Sequence, residues 1–156
     1  MSQASPLETL ISLTREKRDT ASLRLVELRR ARQDAQTQLE TLQHYRQEYR
    51  EKLQTAMQRG IGPDSWRNYE QFLRSLDSAI ERARHSLAER ERQLGQGQQH
   101  WQQEQRRLSA YDTLESRRQQ REQQREQKRE QRQNDEMANT LLQRRESRTA
   151  SHESSH

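Results

Sequence analysis

The chain has 156 residues, of which 34% are charged and only 27% apolar, with a formal net charge of +5. Ordinary globular domains are roughly 45–50% apolar, which argues against a rounded core wrapped by several elements and leaves disorder or long helices that bury a narrow stripe. Leu leads the apolar residues, and the abundant Gln, Glu and Arg are good helix formers, so helices are favoured. There is no cysteine, hence no disulfide and no thiolate metal site. No apolar run is long enough to span a bilayer, and the start, MSQASPLETLISLTREKR, lacks the basic-then-apolar order of a signal peptide. A soluble, cytoplasmic protein is expected. Charges of both signs alternate along the chain, the pattern of solvated helix faces more than of a nucleic-acid-binding block.

The first half carries a heptad pattern with steps of three and four: Leu7, Ile11, Thr14, Arg18, Ala21, Leu25, Leu28, Arg32, Ala35, Leu39, Leu42, Arg46, Tyr49, Leu53 and Ala56. Ile11 is an a site and Thr14 a d site. Arg18, Arg32 and Arg46 occupy a sites, where they weaken a seam but can fix register.

Then comes MQRGIGPDSWRNYEQF, from Met57 to Phe72. Gly60 suits a helix C′ position, which needs positive φ. Pro63 cannot continue the first helix but suits the first turn of the next. Asp64 follows at a positive helix end. This is a sharp turn between two helices that fold back antiparallel.

The second half repeats the rule, with a sites Trp66, Leu73, Ile80, Leu87, Leu94, Trp101 and Leu108 and d sites Tyr69, Leu76, Ala83, Arg90, Gly97, Glu104 and Tyr111. A hairpin centred on Ile61 faces Leu53 with Tyr69, Ala56 with Trp66, Ala35 with Leu87, Leu28 with Leu94, Ala21 with Trp101 and Arg18 with Glu104. Arg32 facing Arg90 is the exception, relieved only by long side chains reaching outwards. Gly95 and Gly97 each cost about 1 kcal/mol in a helix interior; they either mark a bend or are simply tolerated.

After Leu114 the chain reads ESRRQQREQQREQKREQRQNDE, with no apolar residue before Met137. It is either a single solvated helix held by i,i+4 pairs or a low-complexity extension. The intermixed Glu leaves no contiguous basic face evident. MANTLL, Met137 to Leu142, is a short apolar patch able to dock.

The fold expected is all-α: a long antiparallel two-helix coiled coil, or α-hairpin. It comprises residues 1–146, with helix one over about 6–58, a turn at 59–63, and helix two over about 64–134 or beyond. Residues 147–156 are expected to form a flexible, disordered tail.

No catalytic constellation is present. There is no glycine-rich phosphate loop, and His44, His85, His100, His152 and His156 lack metal-ligand spacing. The reading is a non-enzyme with no cofactor and no metal. What stands out instead is apolar side chains off the seam. Gln38, Tyr45, Phe72 and Ala79 are g sites, which face one another in an antiparallel hairpin. With the d residues Leu42, Tyr49, Leu76 and Ala83 they form one stripe beside the turn. That stripe either docks a partner or only widens the seam.

The words HYRQEYREKL, RGIGPDSWRNYEQFL and LDSAIERAR resemble the flagellar export protein FliJ family of enterobacterial type. The resemblance covers Leu7 to about Leu114, most specifically Tyr45, Glu48, Tyr49, Arg50, Gly60, Ile61, Trp66, Asn68, Tyr69, Phe72 and Leu76. It implies a stalk-like hairpin similar to the γ subunit of rotary ATPases, working in flagellar type III protein export. The partners it implies are the export ATPase FliI, which receives the open helical ends, the membrane export-gate protein FlhA, and export chaperones that are escorted and recycled. It also implies a monomer when free, in the cytoplasm and peripherally at the cytoplasmic face of the inner membrane. The implied gate-binding surface is Gln38, Leu42, Tyr45, Tyr49, Phe72, Leu76, Ala79 and Ala83. The alternative is a structural or nucleic-acid-binding coiled coil, the latter with binding that falls steeply with salt.

Overall fold

A computed structural model of the chain describes residues 5–154. Among them are two α-helices and no strand: α1, Pro6–Arg59, and α2, Pro63–Glu153. The start of α1 is a capping box. The Ser5 Oγ accepts a hydrogen bond from the Glu8 backbone N–H at 3.1 Å, and the Ser5 N–H donates to Glu8 Oε2 at 3.3 Å. Pro6 at the first helical position completes the signal. At the other end Gly60 adopts φ +86°, and its N–H bonds the Met57 carbonyl at 3.2 Å, as a helix-ending left-handed residue does. The Trp66 N–H bonds the Gly62 carbonyl at 3.1 Å, so α2 begins with Pro63 and has Asp64 in its first turn.

Packing divides the chain into two units, Ser12–Leu108, and Met1–Ile11 with Ser109–His156. The Ser12–Leu108 unit is an antiparallel α-hairpin. Its buried apolar residues are Ala21, Leu25, Leu28, Ala35, Leu39, Leu76, Ile80, Ala83 and Leu108. Every one lies on the a/d series, so the 3.5-residue period sets which face is removed from water. Leu39, Ile80 and Ala83 form the central cluster, with Leu42 and Leu87 packed against it. Burying each such Leu contributes about 1.5–3 kcal/mol. The seam is shallow, and no large side chain among the described residues is wholly enclosed.

Polar members of the seam find partners that heptad positions do not name. Arg32 turns from Arg90 to Glu91, 3.6 Å away, which removes the like-charge clash. Arg46 reaches across to Asp77. The expected Arg18–Glu104 facing yields no ion pair between the two. Arg18 binds Asp19 at 2.9 Å, and Glu104, only 3% exposed, binds Arg107 at 3.1 Å and leaves Oε2 without a partner. Trp101 opposes the small Ala21, and its indole N–H donates to the neighbouring Ser22 Oγ at 2.7 Å. Trp66, an a site in the first turn of α2, is exposed rather than covered.

α2 runs through Gly97 without a break. A Cβ there would sit 2.5 Å from Leu28 Cδ1, whereas a Cβ at Gly95 would meet nothing within 4 Å. The missing side chain at 97 is the socket for a buried leucine.

In the other unit Arg118 is held by Glu115 at 3.0 Å and Glu8 at 3.7 Å. The Glu115 hydrogen bond, then its charge, raise the Arg118 pKa further. Every described residue from Gln119 onward is exposed. A disordered tail is expected from 147, whereas α2 runs to Glu153; residues 155–156 lie outside the described residues. No Gly or Pro follows Gly97 to stop it. The hydroxyls of Ser147, Thr149 and Ser151 bond carbonyls of the preceding turn, so side chains that could cap and end a helix are used along it.

The two glycines predict different responses. Gly95→Ala should raise unfolding free energy by about 0.5–1 kcal/mol from helix propensity alone. Gly97→Ala should gain less or lose stability, because Leu28 must leave its socket. Urea denaturation of the two variants compares them directly.

Candidate functional site

Five of the seven aromatic side chains, Tyr45, Tyr49, Trp66, Tyr69 and Phe72, lie just before and after the turn. α1 supplies Tyr45 and Tyr49, four residues apart on one face, and α2 supplies Tyr69 and Phe72. The Tyr49 ring centre lies 4.2 Å from that of Phe72, tilted 42°, and 5.2 Å from that of Tyr69, tilted 51°. Such offset, tilted pairs avoid stacking the negative ring faces on one another and add about 0.5–1.5 kcal/mol beyond burial. Tyr49 therefore clamps the two helices, with Tyr45 and Phe72 on the outer edge, 54% and 44% exposed.

Tyr45, Tyr49, Phe72 and Leu76 line one groove of about 270 Å³, together with Glu48 and Lys52. Four of the eight stripe residues thus converge. Leu76 is buried and forms the floor. Gln38 is exposed, Leu42 and Ala79 are half-buried, and Ala83 is buried in the central cluster. None of these four lines the groove; Leu42 and Ala83 belong to the central seam cluster.

Glu48 and Lys52 are not in the expected stripe, although Glu48 is among the residues that carry the family resemblance. Lys52 had a usable signal: it is the next g position after Gln38 and Tyr45. The two give the apolar floor a rim of both signs. Glu48 Oε1 is 3.0 Å from His44 Nε2, which directs that carboxylate along α1. On the neighbouring stretch of the hairpin Asp77 clips Arg46, and the hydrogen bond first and the charge second raise the arginine's pKa further. That pair links the two helices just past the aromatic cluster.

The groove can recognise an apolar or aromatic anchor beside a polar rim, which is the anatomy of a protein-binding hot spot. Among the described residues no group of three or more His, Cys, Asp or Glu side chains could hold a metal ion, and no helix is long and apolar enough to cross a membrane.

Fold and surface together define a coiled-coil α-hairpin whose distinctive feature is an aromatic edge beside its turn. The family profile described as "Flagellar FliJ protein" matches residues 2–147. The flagellar FliJ protein of Salmonella typhi is 38% identical over 117 residues, covering 75% of this chain and 80% of that protein. The flagellar FliJ protein of Escherichia coli strain K12 is 34% identical over 117 residues, with the same coverage of each chain. The chain belongs to the flagellar FliJ protein family.

The clamp and the edge should separate by stability. Tyr49→Ala should cost about 1–3 kcal/mol, through lost packing and two lost ring pairs. Tyr45→Ala should stay within about 0.5 kcal/mol, as exposed substitutions do. Thermal or urea unfolding followed by circular dichroism measures both.

Proposed function

We propose that this chain serves flagellar type III protein export as a coiled-coil adaptor. The stripe beside the turn docks on the membrane export gate FlhA, and the ends of the two helices away from the turn engage the export ATPase FliI and promote its assembly. Export chaperones are escorted by the same protein, which works in the cytoplasm and peripherally at the inner membrane. It is a monomer when free.

Family membership supports the coarser part, a component of flagellar export. The observation that carries the finer part is the exposed Tyr45–Phe72 edge over an apolar floor. Two large aromatics left half open to water on a chain this polar are better accounted for by a partner than by the hairpin's own packing. The half-buried Tyr49, held by two ring contacts, and the buried Leu76 support a preformed surface, which lowers the ordering cost of binding.

The variant Tyr45→Ala/Phe72→Ala should bind the purified cytoplasmic domain of FlhA roughly tenfold or more weakly and reduce motility, while helicity by circular dichroism is retained. Unchanged affinity in that variant refutes the gate assignment. Sedimentation of the free chain should give the mass of one protomer, 18.8 kDa.

A further inference from the structure

The far part of α2 carries a surface that the hairpin does not use. Between Leu114 and Met137 there is no apolar residue, and the sequence runs as a four-residue repeat: REQQ from Arg121, REQK from Arg125 and REQR from Arg129. The linear order mixes the two signs, but the helix sorts them. A four-residue step turns only about 40° beyond a full turn, so three copies stay on one side. At about 100° per residue, Arg117, Arg121, Arg125, Lys128, Arg129 and Arg132 fall within an arc of about 120°. Glu122, Glu126 and Glu130 form their own row along the adjoining arc, and glutamines fill much of the remainder. This corrects the expectation that intermixed Glu leaves no contiguous basic face. All six cations are exposed, and none makes an ion pair among the described residues. Arg118 also falls inside the arc, but it is already held by Glu115 and Glu8.

The geometry points to a docking face for an acidic partner helix, one that carries carboxylates at four-residue intervals. Successive cations lie about 6 Å apart along the axis, the spacing that Glu at every fourth residue gives a second helix laid alongside. Arg–carboxylate contacts then repeat in register down both rods, and forked guanidinium pairing makes them specific. The flanking Glu row decides the partner's breadth. A nucleic-acid duplex carries charge all round and an anionic bilayer is a plane, so each would meet Glu122, Glu126 and Glu130 together with the arginines. This stretch also has no aromatic side chain on which bases could stack, and no apolar residue to enter lipid. A narrow helix touches the cationic row alone. The face belongs to the unit that holds Ser109–His156, the groove to the unit Ser12–Leu108, and the proposal does not rest on gate binding.

The test uses the full chain and two fluorescein-labelled helical peptides of identical composition. In one, Glu recurs every fourth residue; in the other, the same Glu residues are spread around the helix. By fluorescence anisotropy at low salt, the striped peptide should bind roughly tenfold or more tightly than its isomer. Arg121→Gln/Arg125→Gln/Arg129→Gln should abolish that difference with helicity retained, since Gln is a good helix former. Tyr45→Ala/Phe72→Ala should leave it unchanged, which separates this face from the gate surface. Equal affinity for the two peptides, no binding of the striped one, or no response in the triple arginine variant overturns the proposal. So does tighter binding to duplex DNA or to phosphatidylserine vesicles, or self-association of the free chain that the triple variant removes.

Discussion

A chain with 27% apolar residues can take only one stripe of each helix out of water, and the hairpin of Ser12–Leu108 is organised around keeping those two stripes in register. The leucines and isoleucine of the a/d series supply the burial. Cross-helix ion pairs such as Arg46–Asp77 and Arg32–Glu91 are exposed and each adds about 0–1 kcal/mol at most. Their role is alignment. They sit where the heptad puts Arg in the seam, and each pairs a seam charge with a carboxylate of the opposite helix.

The shallow seam also explains how its irregular members are tolerated. Gly97 accepts the Leu28 side chain into the space a Cβ would fill, so a residue that weakens the isolated helix tightens the pair. Trp101 finds Ser22 beside the small residue it faces. Glu104 is the least settled, buried with one oxygen bonded and the other not. A carboxylate there costs desolvation that a Leu would not, and so opposes the apolar packing on either side of it.

Where the two helices approach the turn, the seam changes from Leu and Ala to aromatic rings. A ring is too large to vanish between two helices, so part of it must stay open. Tyr49 is clamped by Tyr69 and Phe72, and the outer rings remain exposed over the floor provided by Leu76. Surface and stability thus come from the same few residues. The charged stretch of α2 is the opposite case, in which nothing is buried and the helix repeat alone creates distinct faces.

The sequence by itself determined two helices, the turn at Gly60 and Pro63, the stripe that goes inside and the register that brings Leu39 to Ala83, because these depend on local backbone preference and on a period that survives in one dimension. Half of the candidate stripe was legible for the same reason. Tertiary structure decided what depends on side-chain reach. Ala83 is in the core, while Glu48 and Lys52 rim the groove. Arg32 turns to Glu91, and Gly97 is a socket. Trp66 stays exposed in the first turn of α2. The continuation of α2 to Glu153 and its segregated basic face were obscured in the linear order, since neighbours of opposite charge in sequence are separated by about 100° once the helix is wound.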